Sequence, residues 1–248
     1  MLKRLFSCID NTSLGGDDTK ERIEALCHSS VSMQDTLKEI THVAAVCVYP
    51  IFVRQAVQLL SGSGIHVASV AGAFPSGQSP MKVKLSEIQY ALDEGADEID
   101  MVLSRGVFLE GDYDKVRNEV ASVKQLCKEK TLKVILETGE LKTPENIYKA
   151  SMLAMEGGAD FIKTSTGKIS VGATPEAAKT MLHAIADFSK NTGKKVGFKA
   201  AGGISEPEEA LGYMKMAEEI LGEEYTTNQN FRIGASRLTN KVFQILTL

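Results

Sequence analysis

Glu94-Gly95-Ala96-Asp97-Glu98-Ile99-Asp100-Met101-Val102-Leu103 and Gly157-Gly158-Ala159-Asp160-Phe161-Ile162-Lys163-Thr164 open on nearly the same joint. In each, glycine sits where a preceding helix should stop. Alanine and aspartate follow, and then a short apolar run. A joint used twice suggests a repeated strand–helix unit. Outward from these two stretches, similar runs recur at Phe6–Asp10, Val43–Val48, Val67–Ala71, Lys133–Glu137, Val196–Ala200 and Phe231–Gly234. With Glu98–Leu103 and Phe161–Thr164 that makes eight. The runs are continuously apolar rather than alternating, as strands of a parallel sheet covered on both faces should be.

The intervening stretches are predicted helices. Over Asp18–Ser29, Ile23, Leu26 and Cys27 form one stripe. Pro50, Pro80, Pro144, Pro175 and Pro207 fall near helix starts, where a missing N–H costs little. Gly62, Gly64, Gly95, Gly157, Gly158 and Gly193 fall near helix ends. Ser205-Glu206-Pro207-Glu208 fits a capping box with Ser205 as N-cap. Eight β/α units in 248 residues have the size of a (β/α)8 barrel. No linker-like segment divides the chain, so residues 1–248 are expected to form one α/β barrel domain. A doubly wound open sheet would want a G-x-G-x-x-G turn after its first strand; Asn11-Thr12-Ser13-Leu14-Gly15-Gly16 is not one.

Composition narrows the function. Hydrophobic residues make up 43% and charged residues 24% of the chain. Twenty-eight basic against 32 acidic side chains give a net charge of −4, which argues against nucleic acid as a partner. No run approaches a membrane span. Met1-Leu2-Lys3-Arg4-Leu5-Phe6-Ser7 lacks the apolar core of a signal peptide, so a cytoplasmic location is expected. Cys8, Cys27, Cys47 and Cys127 form no C-x-x-C pair, and His28, His42, His66 and His183 show no zinc-binding spacing.

In a barrel of this kind chemistry collects at the C-terminal ends of the strands. The polar residues there are Asp10, Cys47, Asp100, Glu137, Lys163 and Lys199. Two lysines inside apolar strands are unusual. Strand alternation puts Phe161 and Lys163 on one face and Ile162 on the other. If strands six and seven are neighbours, Lys163 and Lys199 approach each other. Asp100 joins them if Ile99 and Met101 face the helices.

A free lysine of pKa about 10.4 carries a proton at pH 7 and does not attack a carbonyl. Lowering it to about 7 takes roughly 4 kcal/mol. Two unit charges 4 Å apart repel by about that much at an effective dielectric of 20. A second lysine with some desolvation therefore suffices. Lys163 would form a Schiff base, Lys199 would stay charged as its perturber, and Asp100 would relay protons. The bland alternative has one lysine snorkelling at a strand end while the other pairs with Asp100.

A phosphate site is the second expectation. Barrels commonly hold phosphate with the loops after strands seven and eight. Here those loops carry Ala201-Gly202-Gly203 and Gly234-Ala235-Ser236, and Gly167-Lys168 after strand six could add a donor and a charge. The plainer reading of these glycines is tight turns alone.

The chain resembles the deoxyribose-phosphate aldolase family, class I aldolases on a (β/α)8 barrel. The resemblance runs from about Asp10 to Ser236. It is carried by Asp17-Asp18-Thr19, Val46-Cys47-Val48-Tyr49-Pro50, Phe74-Pro75-Ser76-Gly77, Gly95-Ala96-Asp97-Glu98-Ile99-Asp100-Met101-Val102 and Glu137-Thr138-Gly139-Glu140-Leu141. Its most specific part is Phe161-Ile162-Lys163-Thr164-Ser165-Thr166-Gly167 with Gly197-Phe198-Lys199 and Ala201-Gly202-Gly203. The resemblance implies reversible cleavage of 2-deoxy-D-ribose 5-phosphate to glyceraldehyde 3-phosphate and acetaldehyde, in deoxyribose phosphate catabolism. It implies Lys163 as the Schiff-base lysine, Lys199 as the second lysine and Asp100 as the proton relay. Asp10 would belong to the surrounding polar network and Cys47 to the pocket lining. Thr166, Gly167, Lys168, Gly202, Gly203, Gly234 and Ser236 would bind substrate. No metal or organic cofactor is implied; the partners are a phosphorylated sugar and an aldehyde, and the family commonly forms homodimers.

Three positions depart from the pattern. Arg237 stands where some members have a second serine. Lys199-Ala200-Ala201-Gly202-Gly203 replaces the usual Lys-Pro-Ala-Gly-Gly. The last residues, Leu246-Thr247-Leu248, lack the terminal tyrosine of some members, so proton transfer at the acetaldehyde carbon is expected to rest on Asp100 and water. Another Schiff-base sugar-phosphate aldolase, a transaldolase-like enzyme and a non-catalytic sugar-phosphate binder are the rival readings. The methionines read as core filler, His42 and His66 as residues of the barrel's bottom, and Lys124–Lys130 as a solvated helix end.

Overall fold

Parallel strands need cover on both faces and a partner on both edges. The eight apolar runs meet both needs by closing on themselves. The computed structural model describes residues 1–37 and 42–248. The strands are β1 (Ile9–Thr12), β2 (Ala45–Val48), β3 (His66–Ala71), β4 (Glu98–Val102), β5 (Thr131–Ile135), β6 (Phe161–Lys163), β7 (Gly197–Ala201) and β8 (Phe231–Ala235). They follow one another in sequence order around a closed barrel, and β8 pairs with β1.

Helices cover the outside: α1 (Leu2–Ser7), α2 (Lys20–Thr36), α3 (Val53–Leu59), α4 (Met81–Asp93), α5 (Arg105–Leu109), α6 (Tyr113–Cys127), α7 (Thr138–Leu141), α8 (Pro144–Glu156), α9 (Pro175–Thr192), α10 (Pro207–Leu221) and α11 (Leu238–Leu246). Ile99, Met101, Val134, Ile162, Phe198 and Ile233 point outward into the apolar layer beneath them. Among the described residues, no helix is long and apolar enough to cross a membrane.

The twice-used joint has one local structure. Gly95 and Gly158 take φ of 101° and 96°, a left-handed conformation that favours glycine. The aspartate that follows each caps an earlier strand: Asp97 accepts the N–H of Val67 (3.1 Å) and Asp160 that of Leu132 (2.7 Å). Each also pairs with a lysine, Lys130 for Asp97 and Lys124 for Asp160. Pro144, Pro175 and Pro207 begin α8, α9 and α10, Pro80 immediately precedes α4, and Pro50 begins a 3-10 turn ahead of α3. Gly193, with φ of 73°, ends α9.

Three local expectations need correction. Phe6 lies not in the first strand but in α1, where Leu2, Leu5 and Phe6 form a helical stripe against α10 and α11. The first long helix is Lys20–Thr36 rather than 18–29; Thr19 caps it by accepting the N–H of Arg22, while Asp18 turns back to the Gly15 N–H and the Ser13 hydroxyl. Ser205 is not the N-cap of α10. Pro207 starts that helix one residue later, with Glu206 as a cap residue whose side chain is drawn to Lys241. The other strand ends shift by one or two residues.

Register settles which side chains share the interior. Lys163 lies directly opposite Lys199, Asp100 opposite Lys133, and Lys199 opposite Arg232. Since side chains alternate along a strand, these residues and Glu98, two before Asp100, all face inward. Branched apolar side chains usually fill such an interior. Here Ala45, Cys47, Ala68, Val70 and Leu14 form an apolar wall on one side, and a cluster of buried ionisable groups takes up much of the remaining interior.

Candidate active site

Asp100, in the middle of β4, is the hub of the interior. Its Oδ2 accepts from Lys163 Nζ at 2.8 Å and from Lys199 Nζ at 2.7 Å, and its Oδ1 from Lys133 Nζ at 2.9 Å. The two lysines predicted to converge therefore meet on one oxygen atom. Asp10, in β1, accepts from Lys199 through Oδ2 and from Arg232 Nη1 (2.6 Å) through Oδ1. Below them Glu98 accepts from Lys133, from Arg232 Nη2 (2.8 Å) and from His66 Nδ1 (2.9 Å). Apart from His66, all of these side chains are buried.

Charges this deep persist only when paired. Burial alone would push the carboxyl groups up, but Lys133, Lys199 and Arg232 hold Asp10 below the ordinary carboxylate range. Asp100 is likewise held well below that range, against burial, by Lys133, Lys163 and Lys199, and Glu98 by Lys133, Arg232 and His66. Burial works against the charge on Lys133, Lys199 and Arg232 too. Asp10 with Asp100 outweighs it at Lys199, and Glu98 adds to that pull at Lys133. Asp10 and Glu98 do the same for Arg232.

Lys163 is the exception: its pKa falls. Burial is the larger cause and Lys199 adds to it, while Asp100 pulls the other way. Charge counting gives the same answer. Asp10, Glu98 and Asp100 supply three negative charges, and Lys133, Lys199 and Arg232 supply three positive ones. A proton on Lys163 would leave a net positive charge sealed in the barrel. The expectation that a second lysine is the main perturber needs adjustment, since Lys199 is itself neutralised by two carboxylates and desolvation contributes more.

Above Lys163 opens a cleft of about 340 Å³. Thr166, Gly167, Lys168, Gly202, Gly203, Gly234 and Ser236 line it, as do Arg22 and Arg237. Asp10, Cys47, Asp100 and Lys199 lie outside that lining: the first, third and fourth are in the ionic cluster beneath, and Cys47 is in the apolar wall, its thiol pushed up by burial. Gly167, Gly202 and Gly203 have φ of 75°, 90° and 86°. The loops after β6 and β7 are pressed together. Ala173 N–H donates to Gly202 O (3.1 Å), and a Cβ on Gly172 would lie 2.1 Å from that oxygen. Lys168 Nζ donates to the Leu14 carbonyl, drawing the loops after β1 and β6 together. Glu137 is buried, with φ of 56°, and its carboxylate accepts both the N–H (3.2 Å) and the hydroxyl of Thr166.

Sequence reasoning missed Glu98, Lys133 and Arg232. Their signal was the one that found Lys163: an ionisable residue within an apolar strand, two residues or one register partner from another. Arg22 went unremarked because it reads as an ordinary helix-surface cation, paired with Asp17 and Asp18.

Residues 5–240 match the sequence model of the DeoC/LacD family of aldolases. Human deoxyribose-phosphate aldolase is 45% identical over 251 residues, which is 97% of this chain and 79% of the human one. The mouse deoxyribose-phosphate aldolase is 46% identical over 254 residues, with the same coverage. Among solved structures, the tetrameric deoxyribose phosphate aldolase from Aeropyrum pernix superposes with a TM-score of 0.78 at 27% identity, covering 99% of this chain and 92% of that one.

Proposed function

The chain belongs to the DeoC/LacD aldolase family, and on that premise we propose that it cleaves 2-deoxy-D-ribose 5-phosphate reversibly to D-glyceraldehyde 3-phosphate and acetaldehyde through a Schiff base on Lys163. It is an aldehyde-lyase, like the relatives it matches. The observation that carries the mechanism is the buried Lys163 amine, its pKa lowered by burial and by Lys199, touching Asp100 and opening to the cleft.

The Lys163 nitrogen adds to the C1 carbonyl of the open-chain sugar. Asp100 and Lys199 shuttle protons so that the former carbonyl oxygen departs as water, leaving an iminium. The iminium draws electrons from the C2–C3 bond, the C3 hydroxyl gives up its proton, and the C2–C3 bond breaks. Glyceraldehyde 3-phosphate leaves. The enamine left on Lys163 is protonated at C2, and water hydrolyses the resulting iminium to acetaldehyde and free amine. The phosphate, at the far end of the substrate, rests among the Gly167-Lys168, Gly202-Gly203 and Gly234-Ser236 loops, whose backbone comes close because no side chain intervenes. The proposal extends to a cytoplasmic site of action and a homodimer, both resting on the family.

Borohydride reduction in the presence of acetaldehyde should leave a two-carbon adduct on the Lys163 peptide. Coupled detection of glyceraldehyde 3-phosphate should show turnover of the five-carbon phosphate in preference to six-carbon ketose phosphates, with Lys163→Ala inactive. Label on another lysine, or turnover that survives Lys163→Ala, would overturn the assignment.

A further inference from the structure

Lys163 governs the proposed reaction, but its surroundings extend beyond the residues that touch it. It is faced by Asp100 from β4, Lys199 from β7 and the Cys47 thiol from β2, and through Asp100 and Lys199 it is joined to Lys133 from β5 and Asp10 from β1. One layer lower, Glu98 and Arg232 form a two-point ion pair, Nη2 to Oε1 at 2.8 Å and Nη1 to Oε2 at 3.2 Å. Neither reaches the cleft. Each instead holds a group of the upper layer: Glu98 grips Lys133, and Arg232 Nη1 donates to Asp10 at 2.6 Å. The Arg232 guanidinium also lies 5.6 Å from the centre of the Phe161 ring, and its Nε donates to the Asn228 carbonyl. It is thus fixed on every side.

We propose that Arg232 and Glu98 are positioning residues whose opposite charges balance the buried cluster and so set how readily Lys163 takes up a proton, Arg232 opposing it and Glu98 favouring it. This rests on Lys163 being the Schiff-base lysine. A buried site tolerates little net charge. With Arg232 in place, three cations already answer three carboxylates, and a proton on Lys163 would be in excess. Without Arg232 the cluster is one positive charge short, and Lys163 is the amine left to supply it. Without Glu98 the imbalance reverses, and Lys163 is driven still further from protonation. Of the groups around the lower pair, His66 alone stands half in solvent; its hydrogen bond to Glu98 raises its pKa. Lys133 and Asp10 are held by the upper layer.

The test is the pH dependence of borohydride trapping with acetaldehyde, read as the Lys163 adduct by mass. In Arg232→Met the trapping midpoint moves up by about one pH unit or more. In Arg232→Lys, which keeps the charge and loses the fork, it stays near wild type even where the rate falls. The double change Glu98→Gln with Arg232→Met removes one charge of each sign and returns the midpoint toward wild type. A uniform loss of trapping at every pH in Arg232→Met would overturn the proposal, as would a midpoint in Arg232→Lys that moves as far. If Arg232→Met does not accumulate as folded protein, Glu98→Gln decides alone: its midpoint moves down, and an unmoved one overturns the idea. If wild-type Lys163 is never trapped, the function proposed above fails; if it is trapped and the midpoints ignore these substitutions, only the role of the lower pair fails.

Discussion

Lys163 and Lys199 occupy the same level of adjoining strands and touch the same carboxylate oxygen, yet their pKa values shift in opposite directions, down for Lys163 and up for Lys199. Their partners account for this. Lys199 pairs with Asp10 as well as sharing Asp100, whereas Lys163 has only the share of Asp100. Lys199→Met therefore leaves three carboxylates facing two committed cations, and Lys163 takes up a proton to replace the missing charge. Turnover at neutral pH should drop on the order of a hundredfold or more, and the pH–rate profile should move to higher pH. A profile that stays in place would show that Lys199 does not tune its neighbour.

Among elements, the loops after β6 and β7 carry the tightest packing around the cleft. Gly172 has no room for a side chain, because the Gly202 carbonyl stands where Cβ would go. Gly172→Ala must force these loops apart, and with them Gly167 and Gly202. The KM for the phosphorylated sugar should rise about tenfold, equivalent to roughly 1.4 kcal/mol. Steady-state kinetics on unphosphorylated 2-deoxyribose should show a smaller change; an equal change on both sugars would place the damage at the reaction centre instead. Much at this scale was legible in the residues themselves. The glycine joints and prolines located the helices, and strand alternation put Lys163, Lys199 and Asp100 on one face. What alternation does not convey is which distant strands the closed sheet brings face to face. Arg232 and Glu98 are 134 residues apart in sequence, and only closure between β8 and β1 makes them neighbours. Phe6 was misplaced for a different reason: a short apolar run fits either a strand or one face of a helix.

For the molecule as a whole, the buried cluster ties stability to pH. Asp10, Glu98 and Asp100 have folded pKa values below those of the unfolded chain, about 3.9 for Asp and 4.3 for Glu. Their contribution is therefore complete above about pH 5 and is lost as pH falls through the folded values. Urea midpoints should decline steeply below about pH 4, and Asp10→Asn should flatten that decline.

Lys163 has the opposite dependence. Its folded pKa lies below the unfolded value of about 10.4, so the unfolded chain binds this proton more tightly than the native state does. Native stability then rises with pH between those two values. Relative to Lys163→Met, the wild type should gain up to about 1.4 kcal/mol per pH unit in that window, measured by urea unfolding at a series of pH values rising towards about 10. A constant gap between the two proteins across the series would mean that folding does not lower the pKa of this amine.

The ionic floor also constrains molecular traffic. Arg232, Glu98, Lys133 and Phe161 are buried beneath Lys163, whose amine opens to the cleft above. In the proposed reaction the sugar would enter carbonyl first, with its phosphate among the loops lining the cleft. After scission the phosphorylated fragment would depart first, while the two-carbon piece stays tethered to Lys163. In synthesis the proposed order would reverse, acetaldehyde loading on Lys163 before the phosphorylated acceptor; product-inhibition kinetics that show random binding would count against it.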